Sequence, residues 1–240
     1  MTSRPQIAIR NESHSHLILH CVYCCHFREV FFLNPNIETG WRLTRIAYLL
    51  SVTAAGQHEL NYLKEGWAAA EKYLAMEGGQ EHPECRKWAG IILGSVAGTY
   101  SDNKKKVAAS EQIRVHLEAA LVGKPNDPEL LHAMGLYCFK VAAMSFLEKM
   151  AAKVLFGGKE LKSSYEEALA HFSKAKAARP LKDDGTPWFL NDWMIAQCLV
   201  KTKKKEPALV IMRAILSDEN GKAAFEDDIK ALCTKKKLKL

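Results

Sequence analysis

The sequence predicts an all-α protein, a tetratricopeptide-like helical-repeat solenoid of about four helix pairs followed by a C-terminal helix. Three observations support this. From Glu38 onward, amphipathic segments of about 12–20 residues show apolar positions at helical spacing. Clusters of Gly, Pro, Asn and Asp separate these segments, and almost no stretch alternates polar and apolar residues as a half-buried strand would. Side chains typical of tetratricopeptide repeats recur along them.

The beginning of the chain differs from the rest. Residues 1–37 combine a histidine-rich stretch, a cysteine cluster and an Asn-Pro-Asn sequence, whereas residues 38–240 are helical in pattern. We therefore expect an N-terminal tail of unknown order over 1–37 and a tetratricopeptide-like domain over 38–240. Because every repeat feature lies at or after Glu38, we expect that domain to fold without the tail.

The third helix pair carries the clearest repeat signature. Ala168, Phe172 and Ala175 lie on one face of its second helix, where small alanines allow a close approach to the partner helix. Gly135 marks the first helix, but it lies 33 residues before Ala168, which is 21 more than an ordinary repeat would place between them. We assign the extra residues to an insertion that contains residues 146–162. The insertion either folds onto its own unit or leaves an apolar surface for an oligomer contact or a groove.

The other helix pairs keep fewer of the consensus positions, and their assignment depends on the tandem arrangement. A terminal helix over 223–233 would cover the last open face, with basic residues beyond its end, where they suit the helix dipole. The consensus positions kept are Trp41 and Tyr48 in the first pair, Trp88, Ala120 and Pro125 in the second, and Ile195, Ala196, Leu199 and Ala208 in the fourth.

The composition is that of a globular protein, with 48% hydrophobic and 25% charged residues. Seven cysteines, most of them placed singly in apolar helical stretches, indicate a reducing compartment. The apolar stretch at 17–33 is interrupted by charged residues and histidine, so we expect neither a membrane span nor a secretory signal. The protein is expected in the cytoplasm.

Catalytic and metal-binding motifs give no support for an enzyme. The local signatures of nucleotide-binding loops and zinc proteases are absent from the sequence. Cys138 and His132 lie six residues apart on one predicted helix, so they face different directions and form no catalytic pair. A cluster near the start resembles half of a zinc site, because it has a Cys-x2-Cys pair but no second pair downstream. Its members are His14, His16, His20, Cys21, Cys24, Cys25 and His26. We therefore expect no metal, no cofactor and no enzyme activity.

Lysine runs dominate the charge pattern, and the formal net charge of +7 favours acidic partners. We predict that two runs lie between helices, where they can meet a partner without disturbing the core. Lys104, Lys105 and Lys106 are placed in the loop of the second pair, and Lys203, Lys204 and Lys205 between the helices of the fourth. Nucleic acid is not expected as the partner, because the runs lack exposed aromatic residues for base stacking.

Five segments are specific enough to suggest a known family: LEAALVGKPNDPELLHAMGLYCF at 117–139, AKVLFGG at 152–158, SSYEEALAHF at 163–172, Trp41-Arg42-Leu43 and Lys87-Trp88. Together they resemble the regulator of microtubule dynamics protein family. The resemblance covers roughly Glu38 to Leu232. It implies a non-enzymatic tetratricopeptide-like protein of the cytoskeleton and spindle that associates with microtubules and acts in microtubule dynamics, spindle function and chromosome segregation. Microtubules expose an acidic surface, so both lysine runs are candidate microtubule-binding residues. The helical-repeat surface is expected to contact other proteins too.

An alternative function is that of an adaptor that binds acidic or carboxylate-terminated peptide segments. The inner helices would present Arg42, Arg45, Lys87 and Lys140 to such a peptide. Asparagines that usually line a groove of this kind are missing, apart from Asn191, so this alternative ranks second.

Overall fold

The computed structural model describes residues 28–31, 33–155, 161–179, 181 and 185–239. Helical residues 28–31 precede ten helices, and the only β-type pairing within these ranges is an isolated bridge between Leu181 and Pro187. The helices are α1 (Ile37–Thr53), α2 (Gln57–Leu74), α3 (Pro83–Thr99), α4 (Asn103–Gly123), α5 (Pro128–Ala143), α6 (Phe146–Leu155), α7 (Tyr165–Ala178), α8 (Phe189–Lys201), α9 (Lys205–Ser217) and α10 (Glu219–Lys236). The prediction of an all-α fold is confirmed. Of the helices described, no single one is long and apolar enough to cross a membrane, and only α5 and α6 taken together reach that length and composition.

The helices form two compact units that do not follow the order of the sequence. The amino-terminal unit contains α1–α4 and α6, and the carboxy-terminal unit contains α5 and α7–α10. Within the units, helices pack in pairs, with α1 on α2, α3 on α4, α5 on α7 and α8 on α9. Residues 146–155 of the predicted insertion form α6, which packs on α4, and both of these helices belong to the amino-terminal unit. The arrangement of all pairs in one solenoid stays a prediction.

Small residues allow α1 and α2 to pack closely. A methyl group on Gly66 of α2 would lie 3.0 Å from the Ala47 Cβ of α1, which leaves no room for a larger residue. At the same crossing, the Thr44 hydroxyl donates a hydrogen bond to the Gly66 carbonyl at 3.1 Å, so this buried polar group is satisfied. The core continues toward α3 through Leu63, Ala70, Tyr73, Cys85, Ala89, Ile92 and Val96.

Residues 28–31 pack against the amino-terminal unit. Phe31 is fully buried and clusters with Leu43 of α1, while Arg28 forms an ion pair with Glu65 of α2. Burial of a phenylalanine side chain contributes about 1.5–3 kcal/mol to stability. The segment that immediately precedes α1 is therefore part of this unit's core.

The first helix begins where a side chain satisfies its free backbone amides. The Asn36 side chain accepts a hydrogen bond from the Thr39 N–H at 2.9 Å and caps α1. We predicted a tail over 1–37, and residues 1–27 of that range lie outside the described part of the chain. The predicted boundary, and the histidine and cysteine cluster within the tail, stay predictions.

In the carboxy-terminal unit, α7 buries the face that the repeat pattern predicted. Ala168, Phe172 and Ala175 are all fully buried. A methyl group on Gly135 of α5 would lie 2.7 Å from the Phe172 ring, so glycine is needed for α5 and α7 to approach this closely. The prediction of a small-residue contact between these two helices is confirmed.

The terminal helix is longer than the predicted 223–233. The Asp218 side chain accepts hydrogen bonds from the N–H groups of Asn220 and Gly221, so α10 begins at Glu219. It extends to Lys236, and Lys237 follows in the left-handed conformation with φ of 52°. The sequence prediction began this helix at residue 223 and did not include Asp218 as its cap.

Candidate functional site

The first lysine run lies in a helix and not in a loop, which corrects the predicted position of Lys104, Lys105 and Lys106. The Asp102 side chain accepts a hydrogen bond from the Lys104 N–H at 2.8 Å and starts α4 at Asn103. All three lysine side chains are exposed. The run therefore forms the first turn of a helix and presents its ammonium groups to solvent.

This position is electrostatically unfavourable for α4. The N-terminus of a helix carries partial positive charge, which repels cations at a cost of about 0.3–1 kcal/mol for each exposed charge. No acidic residue lies within the first turn of α4 itself, and the N-cap Asp102 supplies one carboxylate at this end of the helix beside three lysines. Stabilisation of α4 therefore does not explain why lysines occupy these three positions.

An exposed apolar surface lies on α6, which packs against α4 in the same unit. We call it the α6 apolar face, and it consists of Phe146, Leu147, Met150 and Val154. Phe146 and Leu147 are 74% and 78% exposed, which are high values for large apolar side chains. On the opposite side of the helix, Ala152 is fully buried.

Glu148 connects the α6 apolar face to the lysine run. The backbone N–H of Ser145 donates a hydrogen bond to the Glu148 carboxylate at 2.7 Å. This bond, and a second between the Ser145 side chain and Glu148, lower the pKa of the Glu148 carboxyl, with a smaller contribution from the positive charge of Lys106. The helices α4 and α6 pack together, so the lysine run and the α6 apolar face lie on neighbouring helices of the amino-terminal unit.

The second lysine run lies between α8 and α9, as predicted for Lys203 and Lys204, while Lys205 is the first residue of α9. Lys203 has φ of 65°, in the left-handed region that favours glycine. The N–H of Lys204 donates to the Leu199 carbonyl at 2.8 Å, and the N–H of Lys203 donates to the Val200 carbonyl at 3.2 Å. These two bonds close α8 in a Schellman motif, with lysine at the position where glycine is usual. All three lysines are exposed.

Three of the four alternative peptide-binding residues, Arg42, Arg45 and Lys87, lie over tryptophan rings in the amino-terminal unit. The Arg45 guanidinium lies 5.6 Å from the centre of the Trp88 ring, and the Lys87 ammonium lies 5.2 Å from it. Arg42 lies 4.6 Å from the centre of the Trp41 ring and forms an ion pair with Glu38 on its own helix. Cation–π contacts of this kind stabilise the positions of the side chains.

The four candidate peptide-binding residues differ in accessibility. Lys87 is only 4% exposed, whereas Arg45 is exposed. Lys140 is exposed and belongs to α5 in the carboxy-terminal unit. A peptide could reach Arg45 directly, but Lys87 only after a rearrangement. This set stays a prediction.

Asn191 is a core residue and not part of a groove. It is 1% exposed, and its amide donates a hydrogen bond to the Phe172 carbonyl at 3.0 Å. Its oxygen lies 2.8 Å from the Nδ1 atom of His132. The His132 ring packs between Phe172 and Trp188, and burial lowers the pKa of His132 to about 4. His132 is therefore neutral at physiological pH and joins helices of the carboxy-terminal unit.

Burial also determines the protonation state of the Cys85 and Cys198 thiols. It raises the pKa of Cys85 to about 12, with smaller contributions from Glu38 and Glu84. The pKa of Cys198 rises to about 12 for the same main reason, and the nearby Cys138 contributes next. These two thiols stay protonated at neutral pH, and a protonated thiol is a poor nucleophile.

Sequence reasoning predicted that the insertion either folds onto its own unit or leaves an apolar surface, and the exposed side chains of the α6 apolar face agree with the second alternative. It missed Glu167 and His171, although their spacing of four residues places them on one face of α7. Cys138 of α5 lies beside them.

Comparison with known proteins places this structure in a family. The family model for regulator of microtubule dynamics protein 1-3 matches residues 18–238, which is most of the chain. The chain belongs to this family. Similar proteins include regulator of microtubule dynamics protein 2 from Rattus norvegicus, which is 30% identical over 211 residues, covering 84% of this chain and 48% of the relative.

Two further members of the family are similar over a shorter range. Regulator of microtubule dynamics protein 1 from Bos taurus is 33% identical over 149 residues, covering 61% of this chain and 46% of the relative. Regulator of microtubule dynamics protein 3 from the same organism is 29% identical over 142 residues, covering 58% of this chain and 29% of the relative. The chain thus spans about half or less of the length of the curated relatives it matches.

Proposed function

We propose that this member of the family is a non-enzymatic, microtubule-associated helical-repeat scaffold. It acts in microtubule dynamics, spindle function and chromosome segregation, and its place in the cell is the cytoplasm, on the cytoskeleton and spindle. The names of the curated relatives, which are regulators of microtubule dynamics, support the microtubule role. The helix pairs support a scaffold, since they offer extended surfaces for other proteins.

The microtubule-binding surface in this proposal is the first turn of α4 with the α6 apolar face beside it. Lys104, Lys105 and Lys106 are exposed, and the helix that carries them packs against α6. A microtubule surface is acidic, so the lysines attract it over about a Debye length, roughly 8 Å at physiological ionic strength. Apolar side chains next to the charges would then be buried in the contact and add affinity.

The observation that carries this proposal is the unfavourable position of the lysines. Three cations in the first turn of a helix reduce its stability, and the capping carboxylate of Asp102 supplies only one negative charge at this end of α4. A residue that costs stability and is fully accessible is a candidate for binding. Lys203, Lys204 and Lys205 contribute a second exposed basic segment in the other unit, again with one residue in an unfavourable conformation.

The absence of enzyme activity belongs to the proposal. The thiols of Cys85 and Cys198 are protonated, and His132 is buried with its Nδ1 atom at the oxygen of Asn191. General acid–base catalysis by His132 would require access to a substrate, and this side chain is 7% exposed. These groups therefore serve packing.

Peptide binding is the second candidate, favoured by one observation. Arg45 is exposed and is held over the Trp88 ring, so its guanidinium is pre-oriented for a carboxylate. Replacement of Arg45 by Gln would weaken capture of an acidic peptide in this case, with no effect on microtubule binding.

Co-sedimentation with purified microtubules tests the proposal. Replacing Lys104, Lys105 and Lys106 with Glu should weaken binding at least tenfold, and added salt should weaken binding of the unchanged protein. The same substitution should stabilise α4, because Glu is favourable in the first turn of a helix. A loss of binding with unchanged or raised helix stability therefore cannot result from unfolding.

Two further variants locate the surface. Reversal of Lys203, Lys204 and Lys205 to Glu changes the net charge by the same amount, so an equal loss of binding would indicate a diffuse charge effect. Replacement of Phe146 and Leu147 by Ser tests the α6 apolar face at exposed positions. If neither lysine reversal nor salt changes co-sedimentation, binding through the lysine runs is wrong.

A further inference from the structure

A cysteine, a glutamate and a histidine converge at the contact between α5 and α7. Glu167 and His171 are four residues apart on α7 and share one face, and Cys138 approaches them from α5. The Cys138 sulfur, a Glu167 carboxylate oxygen and a ring nitrogen of His171 all lie within 4.8 Å of one another. All three residues belong to the carboxy-terminal unit, so one compact body fixes the arrangement.

The histidine is ready to act as a metal ligand. Its Nδ1 atom is buried and has no hydrogen-bond partner among the described residues. A neutral imidazole has one ring nitrogen with a lone pair available to a cation. A buried polar atom without a partner costs free energy, and a bound ion would remove that cost.

The glutamate is oriented by a neighbouring hydroxyl. Ser163 donates a hydrogen bond to Glu167 Oε2 at 2.7 Å, and Ser164 caps α7 by accepting from the Glu167 N–H at 3.1 Å. Such outer hydrogen bonds hold a metal-ligating carboxylate in place. Glu167 is exposed, whereas Cys138 is buried, so an ion could enter from the solvent side and contact the thiol below.

The donor set indicates which ion would fit. Thiolate sulfur, imidazole nitrogen and carboxylate oxygen are together the ligands of Zn²⁺, whose bonds to them are about 2.0–2.3 Å long. In a tetrahedral site, ligand atoms at those bond lengths lie somewhat closer together than the present 4.8 Å limit, so small side-chain rotations would complete the geometry. Hard cations such as Mg²⁺ and Ca²⁺ prefer oxygen ligands only.

We propose that Cys138, Glu167 and His171 bind a Zn²⁺ ion, with water in the fourth position on the solvent side. Binding releases the Cys138 thiol proton to solvent and leaves a thiolate on the metal. The ion links α5 to α7 and stabilises their contact, next to the Gly135 and Phe172 packing. This site is separate from the half zinc site considered near the start of the chain, and it does not depend on the microtubule proposal.

Cobalt binding tests the site, because Co²⁺ takes the place of Zn²⁺ and absorbs light when a thiolate coordinates it. The full chain should carry Cys21, Cys24 and Cys25 replaced by Ser, since those residues could bind the same ion. After treatment with a chelator, Co²⁺ should produce a thiolate-to-cobalt charge-transfer band and the visible bands of tetrahedral cobalt. Addition of Zn²⁺ should remove both, and Zn²⁺ alone should raise the melting temperature.

Variants distinguish this site from other thiols. Cys138→Ser should abolish the charge-transfer band, and His171→Gln or Glu167→Gln should weaken Co²⁺ binding at least tenfold. Because Glu167 is exposed, the Glu167→Gln variant should fold normally. Its Co²⁺ binding therefore tests the proposal even if Cys138→Ser misfolds. Cys233→Ser, at a buried thiol on α10, should leave the band unchanged. The proposal is wrong if no band forms, or if the band persists at full strength without Cys138, Glu167 or His171.

Discussion

His132 Nδ1 lies 2.8 Å from Asn191 Oδ1, and this contact joins α5 to α8 inside the carboxy-terminal unit. The Asn191 amide group donates to the Phe172 carbonyl of α7, so its oxygen faces His132 as an acceptor. The hydrogen on the imidazole therefore lies on Nδ1. One buried asparagine thus connects three helices.

Replacing Asn191 with Leu should destabilise the protein by about 1–3 kcal/mol, because the His132 N–H and the Phe172 carbonyl would both lose a partner in a buried site. Urea unfolding measures the change. The same substitution at the exposed Asn61 is the control, with an expected effect within about 0.5 kcal/mol. Equal effects at the two positions would contradict the structural role of Asn191.

Acid should destabilise the protein through His132. Burial lowers the pKa of His132 to about 4 from an ordinary value of 6.5, so the unfolded chain binds this proton more readily than the folded one. The contribution of His132 to the free energy of unfolding is therefore fully present above pH 6.5. It is lost as the pH decreases toward 4, and the loss is on the order of 3 kcal/mol.

Unfolding measured across this pH range tests the effect of His132. The variant His132→Gln should show a shallower dependence of stability on pH than the unchanged protein, whatever its absolute stability. His116 in the other unit provides a second comparison, since burial, followed by the charge of Arg86, lowers its pKa to about 4. A slope unaffected by His132→Gln would show that this histidine does not control the acid response.

Two glycines within helices should respond in opposite directions to alanine. Gly135→Ala should destabilise the protein by about 1–3 kcal/mol, because the new methyl would lie 2.7 Å from the Phe172 ring. Gly94→Ala should stabilise it by about 0.5–1 kcal/mol, since no atom lies within 4 Å of the added methyl and alanine favours helix. Thermal melting of both variants measures the signs, and a stabilising Gly135→Ala would show that α5 and α7 are not in close contact there.

Lys203→Gly should stabilise the protein by about 0.5–1 kcal/mol. Lys203 has φ of 65°, and a side chain in this left-handed region is strained, whereas glycine is not. Lys201→Gly removes the same charge two residues away within α8, where glycine should destabilise by about 0.5–1 kcal/mol. Urea midpoints that move in the same direction for both variants would argue against the strain.

Phe31→Ala should destabilise the protein by about 3–5 kcal/mol, because Phe31 is fully buried. Phe146→Ala is the matched control, since that ring is 74% exposed and its loss should change stability by less than about 0.5 kcal/mol. The comparison also tests the predicted domain boundary, because a chain without residues 1–37 would lack Phe31. A small effect of Phe31→Ala would support a domain that begins at Glu38.

Much of the fold could be predicted from the sequence. Helical periodicity and Gly, Pro, Asn and Asp clusters predicted an all-α chain, and the spacing of Ala168, Phe172 and Ala175 predicted a buried face. These are local properties, because the period of the helix determines which side chains share a face. The 33-residue separation from Gly135 to Ala168 also predicted an insertion, which the structure shows as α6.

Other features depended on contacts that a linear pattern does not contain. Asn191 was considered as a groove residue, because the sequence does not show that His132 lies opposite, 59 residues away. Lys104 was placed in a loop because its capping residue, Asp102, was read as part of a turn signal and not as a helix start. Cys138 was examined only against His132, although a different histidine, His171, is the one that packs near it.

The position of α6 affects the order in which the protein can be assembled. The amino-terminal unit includes α6, but the ribosome synthesises α5, which belongs to the other unit, before it reaches Phe146. Domains generally fold as units during synthesis, with the earlier one first. Here the earlier unit stays incomplete, and the side of α4 that α6 covers stays uncovered, until α6 itself has been made. A nascent chain paused between α4 and α6 would therefore present that side of α4 to chaperones.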